Sequence, residues 1–351
     1  MSLMLGLVQK ISEKRTLATA NRLVKRNRFR DAIDLLTSAN RTKRSSRFEE
    51  RLVELRHEGF FHQTFPTGFS EWPPPIGSRF ANHDGIPEIS REQLSADVIR
   101  DGVFNRGSII VRGLLSENDV RILRVGIKKA YEHHDMALAG ASPAETTPWF
   151  VPFKPSPRDG EQDLDRVWFR RTGAELAADS PSGMFEMLEI FEANGIIELV
   201  DGYLGERPAL SVKKTSLRRV PHDQPSEHGW HQDGAFLGQG IRTMNLWVAL
   251  SDCGIDAPSM DMVPRRLNYI VPTGTEGAVF DWSVSTSQIK EACAGGEPAH
   301  LHFKAGDAII FDEMNLHRTS ALPGMTKPRY AIEAWFFAPS CYPLEQLPLM
   351  V

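Results

Sequence analysis

Cysteine is scarce in this chain of 351 residues, and the three present, Cys253, Cys293 and Cys341, make no CxxC pair and no even set. That excludes a disulfide scaffold of the secreted kind and points to a reducing interior. Long apolar runs are lacking too, so nothing reads as a membrane-spanning helix. The short apolar burst from Leu3 to Val8 has no basic residue before it, and Lys10, Lys14 and Arg15 follow at once. This is not the order of a signal peptide, and the expected location is the cytoplasm. An excess of one charge is missing as well: a formal net charge of −4 calls for neither a nucleic-acid partner nor a membrane surface. Internal repeats and low-complexity tracts are absent. The hydrophobic share of 41% and charged share of 25% are those of a soluble globular protein, with length for one large domain or two ordinary ones.

Texture divides the chain into four stretches. Residues 1–58 read as a basic helical extension, with Ala32, Ile33, Leu35 and Leu36 at helical spacing between charges. Lys25, Arg26, Arg28 and Arg30 form one cationic cluster, and Arg41, Lys43, Arg44 and Arg47 a second. Such an arm is either a helical hairpin packed on the rest of the chain or a docking surface for an acidic partner, an anionic lipid or a polymeric substrate. Residues 59–94 are an irregular connector in which Phe60, Phe61, Phe65, Phe69 and Trp72 precede Pro73-Pro74-Pro75. Aromatics at that density belong over a core.

Residues 95–340 have the texture of a compact domain, and 341–351 are left as a tail. A helix is expected from Asp97 to Phe104, a strand over 108–112, and a helix capped by Ser116 running to His134 with Glu117 and Asp119 in its first turn. Loops rich in Gly, Pro and charge over 139–181 are expected to cover a site mouth. A helical pair from Met184 to Leu204 breaks near Gly195. Strands then dominate, over 209–220, 229–233, 243–251, 259–264, 300–303, 308–311 and 329–338.

The chemistry gathers at His231-Gln232-Asp233, with His317 far downstream. Two imidazoles and one carboxylate are the three protein ligands of a non-haem Fe(II) oxygenase site, which leaves open positions on the metal. As i and i+2 on a strand, His231 and Asp233 leave the same face. His317 must come from a distant strand or loop, as a closed double-layered β-fold allows. With 11 histidines in the chain, an HxD arises readily by chance, so the surroundings decide. The motif stands in Glu227-His228-Gly229-Trp230-His231-Gln232-Asp233-Gly234. His317 follows Gly306-Asp307-Ala308-Ile309-Ile310-Phe311-Asp312, a turn feeding a buried strand, and Arg329 opens the β-rich run Tyr330 to Phe337.

In these residues the chain resembles the phytanoyl-CoA dioxygenase family of Fe(II)/2-oxoglutarate oxygenases, over roughly 95–340. The likeness is carried by Gly107-Ser108-Ile109-Ile110-Val111-Arg112-Gly113-Leu114-Leu115, by Trp230-His231-Gln232-Asp233-Gly234 and by Asn245-Leu246-Trp247-Val248-Ala249-Leu250. It continues through Ala257-Pro258-Ser259-Met260-Asp261-Met262-Val263-Pro264 and the order Gly306-Asp307, His317, Arg329. The resemblance implies a mainly β fold, a double-stranded β-helix (jelly-roll, cupin-like) core with flanking helices. It also implies Fe(II) on His231, Asp233 and His317, with 2-oxoglutarate and O2 as cosubstrates. The implied reaction couples decarboxylation of the keto acid to succinate and CO2 with hydroxylation of an unactivated C–H bond. Related halogenases carry a small residue at the position of Asp233, so its presence argues for hydroxylation, with desaturation and ring closure left open.

Further residues acquire roles on the same footing. Arg329 is the candidate for the distal carboxylate of 2-oxoglutarate, which a planar guanidinium can hold bidentately, and Thr319 would add a hydroxyl donor. The His-to-Arg interval is more often one residue shorter in relatives, so either the loop 322–327 bulges or Lys327 takes the role. The stretch Val212-Lys213-Lys214-Thr215-Ser216-Leu217-Arg218-Arg219 carries four cations in eight residues. It is either a charged edge strand that resists aggregation or a source of Lys214, Ser216 and Arg218 for the pocket, facing 2-oxoglutarate or an anionic substrate. Asn245 would reach the cosubstrate, Trp230 and Phe236 the substrate, while Trp247 suits core packing. His222 and His228 suit a lid better than a metal grip, and His133-His134 a solvated or dipole-complementing pair at a helix end. Trp149, Phe150, Phe153, Trp168 and Phe169, interleaved with Arg158, Arg166, Arg170 and Arg171, form either a substrate-facing lid or loop anchors.

The expected substrate is a small or carrier-borne metabolite. Two other classes compete: a metal-dependent cupin-like hydrolase or isomerase, and a non-catalytic binding protein recruiting a partner through its basic arm. Arg329 and the lack of further carboxylates near the triad count against the first, the intact triad against the second.

Overall fold

The computed structural model describes residues 2–65, 68–223 and 229–351, with side chains from residue 11 onward. Twelve strands appear among them: β1 (Glu88–Ser90), β2 (Ser108–Arg112), β3 (Ala174–Leu176), β4 (Ala209–Ser211), β5 (Ser216–Val220) and β6 (Thr243–Ala249), then β7 (Ser259–Met262), β8 (Ala299–His300), β9 (Ala308–Phe311), β10 (His317–Ser320), β11 (Arg329–Phe337) and β12 (Pro348–Met350). The helices are α1 (Ser2–Val24), α2 (Phe29–Thr42), α3 (Ser46–Phe60), α4 (Ala96–Arg106), α5 (Glu117–Leu138) and α6 (Pro143–Thr146). They continue with α7 (Arg166–Arg171), α8 (Pro181–Ala193), α9 (Ile196–Leu204), α10 (Gly234–Leu237) and α11 (Thr286–Ala292). No helix among the described residues is long and apolar enough to cross a membrane.

The strands form a jelly-roll of two sheets. The large one runs β1-β2-β9-β6-β11-β4-β12, with β5 paired to β11 and β3; the small one runs β10-β7-β8. Strand alternation sorts every central side chain to one of two faces. Leu246, Val248, Ile310, Ile332, Ala334 and Phe336 share a buried cluster with residues of α5, α8 and α9, so helices cover that side. Their neighbours Trp247, Ile309, Phe311, Ala331 and Trp335 join Met260 and Met262 of the small sheet instead. The cross-strand register places Trp247 opposite Glu333, Ala331 opposite Arg218 and Arg329 opposite Val220. Arg218, Arg329 and Glu333 therefore share the inner face, between the sheets.

Local rules account for many boundaries. The Ser116 hydroxyl accepts the Asp119 backbone N–H, and the Asp119 carboxylate accepts from Ser116, a capping box that starts α5. Gly306 sits at φ 96°, and a Cβ there would lie 2.6 Å from the Leu115 carbonyl oxygen. Only glycine allows that approach before β9. The expected strand over 209–220 is two strands, because residues 212–215 turn between β4 and β5. The strand expected over 300–303 shrinks to β8. The stretch 229–233 is not a strand: His231 makes a single bridge and Asp233 has helical dihedrals (φ −62°, ψ −27°) at the start of α10.

The N-terminal arm is three helices. Leu36, Phe48, Leu52, Leu55 and Phe60 lie in the cluster that contains Trp335, Phe337 and Met350, and α3 packs on β12 and α8. Much of its second cationic group is paired within the protein: Arg41 with Glu189 (2.5 Å), Arg44 with Glu49 and Glu186, Arg47 with Glu13. Residues 341–351, expected as a tail, close the sheet edge through β12 on β4. Leu55→Ala, at a fully buried position, is expected to lower the unfolding free energy by about 2–5 kcal/mol. Denaturant titration checks it; an unchanged midpoint would show an arm that folds apart from the sheets.

Candidate metal centre and its cavity

His231 and His317 are joined by a reciprocal pair of backbone hydrogen bonds, each 3.0 Å, where the chain before α10 meets the start of β10. The bridge sets the two rings 4.6 Å apart, centroid to centroid. Each Nδ1 lies against a carbonyl oxygen of its own chain, His231 with Gly229 at 2.9 Å and His317 with Asn315 at 3.1 Å. Donation by Nδ1–H fixes the tautomer and leaves the Nε2 lone pairs for an ion. Asp233 completes the set through the helical turn rather than through strand alternation. One donor atom from each of the three lies within 4.8 Å of the others, the only such group among the described residues.

Electrostatics prepare the donors for a cation. Burial pushes the Asp233 carboxyl up, but the Lys214 ammonium and the two imidazoles outweigh it and hold the group well below the carboxylate range. Burial and the neighbouring His231 push His317 down to about 4, so it is neutral at neutral pH. Lys214 Nζ donates to Asp233 Oδ1 at 2.7 Å. Asp233 Oδ2 is buried without a partner. A buried, ionised, half-satisfied carboxylate beside two lone-pair nitrogens is costly alone and fits a divalent ion.

The triad opens on a cavity of about 110 Å³ lined by His231 and His317 together with Lys214, Arg218, Arg329 and Glu333. Arg329 is 1% exposed; burial and then Arg218 push its guanidinium down to about 9. It donates to the Ser259 carbonyl at 2.8 Å, lies 5.3 Å above the Trp247 ring, and its Nε has no partner. Thr319 lines the same cavity. Lys327 does not: it is exposed and pairs with Asp256 at 3.0 Å. The Thr326 and Lys327 backbone N–H groups both donate to the Asp256 carbonyl.

Other sequence candidates separate. Asn245 does not line the cavity; its amide points at Glu333 Oε1, 3.5 Å away. Trp230 alternates away from His231 into a separate cluster with Val263 and Leu267, under Arg318. Phe236 stands beside the site, 6.4 Å from the His231 ring and 45% exposed. Of the aromatic loop residues, Trp168 and Phe169 of α7 line the cavity, while Phe150 and Phe153 are buried. His134 is not solvated: it is buried, stacks on Phe150 and pairs with Glu175 at 2.7 Å. His222 lies away from the triad in a different cleft, and His228 falls outside the described residues. Several lining residues had not been singled out: Thr172, Met260, Phe311, Glu333 and Trp282. Alternation from Arg329 along β11 points to Glu333; no signal marks Trp282 in its loop.

The model of the phytanoyl-CoA dioxygenase (PhyH) family matches residues 105–323. This chain belongs to that family. The match covers the triad and stops just short of Arg329. No curated protein matches. Among solved structures, EctD from S. alaskensis with 2-oxoglutarate and 5-hydroxyectoine is 18% identical, covering 78% of this chain and 80% of its own at a TM-score of 0.48. The carbocyclase SnoK from nogalamycin biosynthesis is 15% identical (71% and 86% covered, TM-score 0.46). The epimerase SnoN, in complex with Fe3+, alpha ketoglutarate and nogalamycin RO, is 16% identical (69% and 82%, TM-score 0.45).

His231→Ala and Asp233→Ala are each expected to weaken Co(II) or Mn(II) binding at least about 100-fold, and Lys214→Met about 10–100-fold through the loosened carboxylate. Calorimetric titration of metal-free protein reads all three; wild-type affinity in either ligand variant would remove the assignment.

Proposed function

We propose that the protein is an Fe(II)- and 2-oxoglutarate-dependent dioxygenase that hydroxylates an unactivated C–H bond of a small or carrier-borne metabolite, releasing succinate and CO2. One observation carries the reading. Two imidazoles share a small cavity with a buried arginine that lacks an anion, and their donor atoms lie within 4.8 Å of a carboxylate that has one unpartnered oxygen. His231, Asp233 and His317 would hold the iron, which when bound supplies the redox chemistry with O2 and the keto acid. Arg329, with the Thr319 hydroxyl, would anchor the distal carboxylate of 2-oxoglutarate by charge-assisted hydrogen bonds. The surrounding apolar wall of Trp247, Met260 and Phe311 excludes water and strengthens that pairing. Lys214 keeps Asp233 ionised and oriented. A water-activating hydrolase has no use for an unpaired guanidinium buried at this depth, which disfavours the cupin-like alternative.

Anaerobic protein with Fe(II) and 2-oxoglutarate is expected to develop a weak visible metal-to-ligand charge-transfer band. Its absence at saturating concentrations would remove the reading. In the same titration Arg329→Ala should raise the 2-oxoglutarate concentration for half-saturation at least about tenfold, a loss of about 1.4 kcal/mol or more. An unchanged requirement would take the distal carboxylate away from Arg329.

A further inference from the structure

A second arginine faces the cavity, and the keto acid does not account for it. Arg218 is 14% exposed and donates through Nη1 to Glu333 Oε2 at 2.6 Å and through Nη2 to the Thr172 carbonyl at 3.4 Å. Its buried Nε has no partner. Glu333 is fully engaged, accepting also from Ser216 (3.4 Å), Asn245 (3.5 Å) and Trp335 (3.2 Å), so it braces Arg218 and has little left to offer a ligand.

Position separates the two arginines. Arg329 lies against Ser259 and Trp247, between the sheets. Arg218 reaches instead to Thr172, at the end of α7, the helix that brings Trp168 and Phe169 to the cavity. Trp168 is half-exposed. Trp282 lines the same cavity, 6.0 Å from the His231 ring and stacked on Phe280 at 5.0 Å. The outer part of the site is thus one guanidinium among indole and phenyl rings.

Charge counting agrees. An imidazole that ligates a metal is uncharged, so the loaded site carries three cations (Lys214, Arg218, Arg329) against two carboxylates (Asp233, Glu333). Fe(II) and the 2-oxoglutarate dianion cancel one another. One positive charge remains uncompensated in a buried place, where it is costly. A monoanion restores neutrality.

We propose that the substrate is a monocarboxylate with a planar or otherwise apolar body, its carboxylate held by Arg218 and its body against Trp168, Phe169 and Trp282. The inference rests on the dioxygenase reading above and adds the substrate's chemical class. Trp168, Phe169 and Trp282 line the cavity together with Arg218, and the half-exposed Trp168 marks its outer end, so the substrate body lies among these aromatics. Glu333 is a positioning residue, and Arg218 is the group that selects the anion.

The test uses full-length protein loaded with Mn(II) and N-oxalylglycine and reads tryptophan fluorescence. Indole-3-acetate, 4-hydroxyphenylacetate and 3-phenylpropanoate are each titrated against their primary amides. At least one carboxylate should bind about tenfold or more tightly than its amide. Arg218→Gln should erase that preference, Arg218→Lys should keep part of it, and N-oxalylglycine affinity should stay within about threefold in both. The double variant Arg218→Gln/Glu333→Gln, which leaves no unpaired buried carboxylate, should behave like Arg218→Gln if the loss is specific. No carboxylate preference in the wild type overturns the proposal, as does a loss of N-oxalylglycine affinity in Arg218→Gln, which would give Arg218 to the cosubstrate. Failure of the wild type to bind Mn(II) with N-oxalylglycine removes the dioxygenase reading itself and this inference with it.

Discussion

Two backbone hydrogen bonds between His231 and His317 hold the site together. The residues are far apart in sequence, and only the jelly-roll brings the segment before α10 beside the first residue of β10. The bridge fixes both Cα positions, and the contacts of the two Nδ1 atoms with backbone carbonyls fix both ring orientations. What remains free is a pair of Nε2 atoms turned toward Asp233. The convergence of the three donor atoms is thus a consequence of backbone pairing. Preorganisation of this kind keeps the entropic cost of ligation low.

The inner face of the large sheet departs most from what folding alone would select. A sheet-on-sheet interface is ordinarily filled by apolar side chains, and Trp247, Ile309, Phe311 and Met260 do fill much of it. Yet β5 and β11 also turn Arg218, Arg329 and Glu333 inward. Glu333 is held ionised: burial pushes it up, and Arg218 more than compensates. Arg329 has no such partner and is pushed down from the usual arginine range. Local disagreement with the packing rule is expected at functional sites, and here it sets two guanidinium groups and one carboxylate between the sheets.

Much of this was legible in the sequence, and the misses have physical causes. The helix cap at Ser116, the strand over 108–112 and the break near Gly195 follow from short-range rules of capping and alternation. The metal triad was legible from residue types, though not its mechanism of convergence: the i, i+2 argument assumed a strand, whereas Asp233 is turned inward by the first residues of α10. Trp230 was misplaced because neighbours in sequence do not share a face on extended chain. Lys214 and Asn245 are set by partners distant in the chain, Asp233 and Glu333, which no local pattern specifies. Spacing could not show that Arg329 is buried while Lys327 is exposed, since Lys327 is held by Asp256 on another loop.

The arm shows how the barrel's end is finished. Along β11 the inner face continues past the cavity through Trp335 to Phe337, whose rings lie 6.3 Å apart. Tyr342 packs on Phe337 at 5.1 Å and Phe60 on Tyr342 at 5.2 Å, so α3 continues the stack outward. His57, one turn earlier, is buried between the Pro348 carbonyl (2.9 Å) and the Asp159 carboxylate (2.8 Å), joining the arm to β12 and to the loop that leads into α7. Basic composition suggested a surface for partners; the apolar stripe between those charges determines where the helices sit. The loop that carries the outer aromatics of the site is therefore braced, through Asp159 and His57, by the helices that cap the barrel. An arm that looked like an appendage bears on the geometry of the mouth.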